Sequence, residues 1–198
     1  ATYDIGFQAL SGVANRKEKI IYVCYNNCNY ANTGHQRTAA TQLYARTTTT
    51  PLGKLNEKGN LLPRKNMAKI MAMHSIPYSA TASISHPYDY MNKLQKAAKI
   101  DGPVFIDLLC SCEPGWLVDT DRMVEVAKKM VDSGMWPLYE IENKKVTINL
   151  EPKMIPVEEA LKLQGRYKHL KKEEIEEIQK IINQEWALIK QGKFWETE

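Results

Sequence analysis

Apolar and polar positions along this chain fall into blocks whose period switches between that of a helix and that of a strand. Near the start, Ile5, Ala9 and Val13 recur at helical spacing with Gly6, Ser11 and Gly12 among them, small residues that let a helix press on a sheet. Lys19 to Tyr25 (KIIYVCY) is β-branched and apolar behind a charged entry, which predicts a buried strand. Helical spacing returns from Asn66 through Met67, Ile70, Met71 and His74, with Pro77 ending it, and a strand follows from Tyr78 to Ala82. His86 to Ile100 reads as a helix through Tyr90, Leu94, Ala97 and Ala98, closed by Gly102-Pro103 ahead of a strand from Val104 to Leu109. Thr120 then caps a helix through Met123, Val126, Ala127 and Met130 that Gly134 ends.

This alternation predicts an α/β fold, a doubly wound, mainly parallel sheet with helices on both faces, in which ligands bind at the strands' carboxyl ends. Beyond Pro137 the pattern changes to a small hairpin, Leu138 to Leu150 turning near Asn143, followed by helical segments at Val157 to Leu163 and Lys172 to Lys190. The last helix carries Ile175, Ile178, Ile182, Trp186 and Ile189 on one stripe, and its charges read as a solvated face. Residues 1–136 therefore read as one domain and 137–198 as a peripheral C-terminal extension. The methionines near residue 70 read as core, not as a sulfur ligand set.

Composition narrows the function classes. The 198 residues are 43% hydrophobic and 25% charged, the balance of a globular domain able to bury a core. The most apolar runs have strand length, so no membrane span is expected. A net charge of +4, from 27 basic and 23 acidic residues, is interspersed along the chain and gives nucleic-acid binding no support. Cys24, Cys28, Cys110 and Cys112 do not form a secretory framework, and a cytosolic, reducing compartment is expected. The chain opens at Ala1 without a methionine, and an upstream segment is expected to be missing.

The segment Asn26 to Gln36 follows the first predicted strand. Its amides, Asn32-Thr33-Gly34 and main-chain N–H groups suit magnesium and phosphate, which favour oxygen ligands and close backbone approach. By spacing alone, however, a simple turn is the stronger reading, since Asn, Thr and Gly make turns and no carboxylate lies within it. Residues Arg37 to Pro63, with Thr47 to Thr50 in a row, read as a long ordered loop. His74, His86 and His169 are unclustered and read as structural.

Six motifs in order change the balance: Tyr3-Asp4-Ile5-Gly6; Tyr30-Ala31-Asn32-Thr33-Gly34-His35-Gln36-Arg37; Thr47-Thr48-Thr49-Thr50-Pro51-Leu52-Gly53-Lys54; Cys112-Glu113-Pro114-Gly115-Trp116; Trp136-Pro137-Leu138-Tyr139-Glu140; and Gln164-Gly165-Arg166-Tyr167. Across nearly its whole length the chain resembles the beta subunits of pyruvate:ferredoxin oxidoreductases (pyruvate synthases) of the 2-oxoacid:ferredoxin oxidoreductase family. The resemblance implies the thiamine diphosphate-binding fold, with residues 1–136 as the C-terminal part of that domain. It implies oxidative decarboxylation of pyruvate with coenzyme A to acetyl-CoA and CO2, electrons passing through iron–sulfur clusters to ferredoxin. Alpha, gamma and delta type subunits are the implied partners, the alpha subunit supplying an activating glutamate.

On the same resemblance, Asn27 is a magnesium ligand and Asn29 another through its main-chain carbonyl. Asn32 lies beside the thiazolium ring and substrate as the catalytic position, and Ala1 and Thr2 lie near the diphosphate. Cys28, Tyr30, Ala31 and Thr33 complete the cofactor loop. A Gly-Asp-Gly carrying another magnesium ligand stands before Ala1 in the family. Cys112 matches the last of four cysteines on a 4Fe-4S cluster whose other ligands lie upstream, a donor set such clusters use. Cys110 reads as a buried small residue. Asn26, Cys28 and His35 depart from the commoner family pattern, where aspartate, glutamate and a smaller or apolar residue are frequent. The competing expectations are the same chemistry on a branched-chain 2-oxoacid, 2-oxoglutarate or oxalate, or a non-catalytic interaction module of the same fold.

Overall fold

A computed structural model describes residues 2–196. Ten of these, Phe7–Arg16, form helix α1, and strand β1 (Ile21–Asn26) follows. The chain then runs without helix or strand to α2 (Met67–Met73), β2 (Tyr78–Ser83), α3 (Pro87–Ala97) and β3 (Val104–Leu109). A short helix α4 (Glu113–Trp116), α5 (Met123–Asp132), strands β4 (Leu138–Glu142) and β5 (Lys145–Leu150), α6 (Val157–Leu161) and α7 (Lys172–Lys190) complete it.

The sheet order is β1-β3-β2-β4-β5. The first three strands are parallel, and β4 and β5 extend the β2 edge as an antiparallel hairpin. On one face, Phe105, Tyr139 and Ile141 pack with residues of α1, α2 and α7. On the other, Tyr78, Ala80, Ala82, Val104, Ile106 and Leu108 meet α3. A third cluster gathers Trp116, Trp136, Leu109 and Leu138 with α5. The α/β alternation, with helices on both faces, is as the periodicity predicts.

Three expectations need correction. The buried stripe at the start is Tyr3, Leu10 and Ala14, while Ile5 is 82% exposed. Both stripes have helical spacing, but only this one carries a large aliphatic and an aromatic inward. Strand β1 is not fully buried: among the described residues it pairs only with β3, and Tyr25 is 72% exposed on this edge. The segment after Pro137 is no peripheral extension. Its hairpin belongs to the main sheet, and α7 buries Ile178, Ile182 and Trp186 in the main core, where Trp186 Nε1 donates to Gly134 O at 3.1 Å.

Local signals were followed at most other points, Thr120 excepted. Asn66 Oδ1 accepts the Lys69 N–H at 3.1 Å and caps α2, and Met67 and Met71 are buried in the core. Asn143 and Lys144 take left-handed backbone at φ 49 and 68, the two-residue turn whose twist suits a hairpin. Thr120 starts a short 3-10 turn and makes no side-chain cap; α5 begins after it. The long loop is pinned by buried Asn60, whose amide donates to Thr41 O, Gln42 O and Leu62 O.

Candidate functional site

Parallel strands β1, β2 and β3 all end on one side, so the loops after Asn26 and Leu109 meet there; Cys110 N–H donates to Asn26 O at 2.9 Å. A cavity of about 240 Å³ opens at this end, lined by Thr2, Tyr3, Tyr22, Cys24, Asn27 and Asn29, with Thr38 and Ala40 at its rim. Thr2 Oγ1 and Tyr22 Oη lie 2.9 Å apart along it. A larger depression of about 400 Å³ on the outer face of α7, between Glu176, Lys180 and Asn183, draws its polar groups from one helix and is a solvated face.

The floor of the cavity is a buried polar network. Asp107, on the inner face of β3, accepts from the Tyr3 hydroxyl and, at 3.0 Å, from Asn26 Nδ2. Asn26 Nδ2 also reaches Tyr3 Oη at 2.9 Å, and its Oδ1 accepts the Cys28 N–H at 2.9 Å. Burial pushes the Asp107 carboxyl above its ordinary value, although the Tyr3 hydroxyl, the Arg64 guanidinium and Asn26 pull the other way. Burial and the neighbouring carboxylate push Tyr3 up in turn, so the phenol stays protonated and donates. Asn26 thus turns the chain out of β1 and aims the next residues at the cavity.

Asn27 and Asn29 follow. Asn27 O accepts from Trp116 Nε1 at 2.8 Å and from Asn29 Nδ2 at 3.1 Å, which fixes the peptide while its side chain lines the cavity. Among the described residues no hydrogen bond is made to the Asn29 carbonyl. The oxygen-donor set of Asn27, Asn29 and Thr2 fits a hard cation with phosphate. Among the described residues no carboxylate lines this cavity.

Other expected positions are distributed differently. Cys28 was expected at the cofactor, but its φ of 60 turns the thiol into the core. Its N–H goes to Asn26, and its carbonyl accepts Thr41 Oγ1 at 2.8 Å, so no polar group of Cys28 is left for a ligand. Tyr30 exchanges main-chain bonds with Gln36, and its hydroxyl donates to Asp4 Oδ2 at 3.1 Å, while Ala31 O accepts from Gly34 and His35. These two close the loop. Asn32 and Thr33 are exposed at its tip, outside the cavity lining. Ala1 lies outside the described residues.

Asn26 opened the segment singled out in the sequence, whereas Tyr3, Thr38 and Asp107 were not assigned to the site; a single carboxylate inside the apolar run VFIDLL was the available signal for Asp107.

Asp4 ties the N-terminal segment to the loop: its Oδ2 also accepts the Ala39 N–H at 3.0 Å, and Lys65 Nζ stands 3.8 Å from Oδ1. Burial pushes this carboxyl up, but the hydrogen bonds from Ala39, Thr38 and Tyr30 and the Lys65 charge outweigh it and hold it below its ordinary value. The tie is therefore fully present above the ordinary carboxylate pKa of about 4 and is lost as pH falls through the lower folded value. Amide exchange at Ala39 is expected to rise in that acid window, and Asp4→Asn to abolish the pH dependence.

Cys112 differs from the other thiols. Burial pushes Cys24 to about 12, Cys28 to about 11 and Cys110 to about 12, so these remain protonated. Of the four, only Cys112 is partly exposed. Among the described residues no three His, Cys, Asp or Glu side chains come together as a metal site. His74 bonds Ser11 and Ile70, His86 bonds Ser85, and His169 bonds Lys58, each a structural contact.

The cavity and its amide-rich turn lie at the carboxyl ends of parallel strands, and the chain belongs to the thiamine pyrophosphate enzymes: residues 1–108 match the C-terminal TPP binding domain. It is 48% identical over 189 residues to pyruvate synthase subunit PorB of Methanocaldococcus jannaschii, covering 95% of this chain and 63% of that protein. Ketoisovalerate oxidoreductase subunit VorB of Pyrococcus horikoshii is 46% identical over 196 residues, covering 96% and 61%. The chain thus spans a little under two thirds of these relatives. Among solved structures, a 2-oxoglutarate:ferredoxin oxidoreductase from Magnetococcus marinus, with 2-oxoglutarate, coenzyme A and succinyl-CoA bound, shares the fold at a TM-score of 0.50 and 21% identity, over 56% of this chain and 36% of that one. No helix of the described residues is long and apolar enough to cross a membrane.

Proposed function

We propose that this chain is the cofactor-binding part of the beta subunit of a thiamine diphosphate-dependent 2-oxoacid:ferredoxin oxidoreductase. It acts with alpha, gamma and delta type subunits in a reducing cytoplasm, converting pyruvate and coenzyme A to acetyl-CoA and CO2. The carrying observation is the cavity at the carboxyl end of β1, where Thr2, Asn27 and Asn29 present oxygen donors on a turn fixed from below by Asn26 and Asp107.

When bound, thiamine diphosphate supplies the electron sink that decarboxylation of a 2-oxoacid requires. This chain's part is to hold and orient. Asn27 Oδ1 and the Asn29 carbonyl would hold magnesium, whose charge would offset that of the diphosphate. The Thr2 and Tyr22 hydroxyls contact the phosphate side. Asn32 and Thr33, on the loop tip, face the substrate and the partner subunit. Cys112 would contribute one thiolate to a 4Fe-4S cluster, a group that supplies one-electron transfer.

The branched-chain alternative has its own support, since the ketoisovalerate relative is nearly as similar as the pyruvate synthase one. The reading is tested by purifying the complex from its native source, measuring iron, and following ferredoxin reduction with each 2-oxoacid. Reduction with pyruvate or a branched 2-oxoacid is expected; none with any of them, in an intact complex, contradicts it. Asn27→Ala in the assembled complex is expected to weaken magnesium-dependent cofactor binding tenfold or more, about 1.4 kcal/mol. Calorimetric titration measures it, and unchanged affinity removes Asn27 as a ligand.

A further inference from the structure

The turn after β1 and the turn after β3 close on one another at Gly115. A Cβ there would stand 3.0 Å from Cys112 Sγ and 3.0 Å from His35 Nδ1, and would collide with Asn29 Nδ2. The ring nitrogen and the sulfur are therefore separated by no more than twice that distance. His35 Nδ1 is buried and has no hydrogen-bond partner, and neither has Asn29 Oδ1; among the described residues these are the two such side-chain atoms. Leaving a buried polar nitrogen unpaired is unfavourable.

The backbone of His35 is unfavourable as well. Its φ is 61, a left-handed conformation that is unfavourable for a non-glycine residue. It is held there at both ends, its N–H donating to Ala31 O at 3.3 Å and its carbonyl accepting the Thr48 N–H at 3.2 Å. Thr48 Oγ1 adds a bond to Gly34 O at 2.7 Å. Strain in the backbone and an unpaired ring nitrogen at one residue are what a fold keeps when the ring has a task.

We propose that His35 is a positioning residue for the Cys112 sulfur, its Nδ1–H donating to that thiolate, or to the inorganic sulfide beside it, when iron is bound. The inference rests on the reading of Cys112 as a cluster ligand. A reduced cluster carries one more negative charge than an oxidised one, so a donor to its sulfurs stabilises the reduced form more and raises the reduction potential. Gly115 is required at this place because a Cβ would press on both ring and sulfur and collide with Asn29 Nδ2.

The test is a potentiometric titration of the anaerobically purified complex, followed by electron paramagnetic resonance. Cys112→Ser is expected to alter the spectrum of a single cluster; unaltered spectra overturn the Cys112 reading and this inference with it. Given that alteration, His35→Phe is expected to move the same cluster to lower potential. A tenfold change in its reduced-to-oxidised ratio corresponds to ~59 mV for one electron. His35→Gly, which relieves the left-handed backbone and leaves the loop free to fold, is expected to shift the potential in the same direction. No shift in either variant means the ring serves Asn29 instead, and an equal shift of every cluster means a global change; both overturn the role of His35 while leaving Cys112 in place.

Discussion

Trp116→Ala is expected to destabilise the protein by about 3–5 kcal/mol, a large share of the roughly 5–15 kcal/mol that holds a domain folded. Trp116 is fully buried, and its ring lies 4.1 Å from the guanidinium of Arg166, itself buried. Arg166 is held by neutral amides, Gln42 Oε1 at 2.9 Å and Gln164 Oε1 at 2.7 Å, so the aromatic face is a principal stabiliser of its charge. Loss of the ring opens a cavity beside a desolvated cation. The indole N–H also fixes the Asn27 carbonyl, which links this core position to the cofactor turn. Trp116→Phe separates the two effects: it keeps most of the packing, costs about 1 kcal/mol for the lost hydrogen bond, and weakens cofactor binding. Denaturant unfolding and calorimetry of both variants check this.

Asp107→Ala is expected to cost a similar ~3–5 kcal/mol, for a different reason. The small residue leaves the Tyr3 hydroxyl and the Asn26 amide buried without their shared acceptor. Asn26 then has no cause to hold its rotamer, and the Cys28 N–H that depends on it loses its place. Asp107→Asn keeps an acceptor and is expected to cost about half as much. Unfolding midpoints with unchanged slopes measure the difference. Equal stability of Asp107→Ala and the wild type would show that the network carries no energy.

The order of elements was legible because period and terminators are local properties: Asn66, Gly134 and Asn143 act where they stand. What docks on what was not. Nothing in Leu138 to Glu142 says that it pairs with β2, because the partner is set by which sheet edge is open once the parallel strands have formed. The same holds for α7, whose apolar stripe was plain and whose contact with Gly134 was not. At the site, Thr2, Asn27 and Asn29 do meet in one cavity. The burial of the Cys28 thiol was not legible, because it follows from a left-handed backbone and sequence does not report φ.

The separated motifs gain a physical reason from their meeting. Tyr3 and Asp4 bind the β1 loop and Asp107, and Thr48 and Thr49 bond His35 and Arg37. Trp116 stacks on Arg166, and the Gly165 N–H donates to Leu117 O at 3.0 Å. Each short motif is weak alone because its partner lies far along the chain.

The central claim is that the turn after β1 holds magnesium and the diphosphate. Hydrogen–deuterium exchange of the assembled complex, with and without magnesium and thiamine diphosphate, tests it most directly. The account predicts slower exchange across Tyr22 to Ala40, with α7 unchanged and no protection when magnesium is withheld. Cofactor binding that leaves Tyr22 to Ala40 exchanging at its original rate would contradict it.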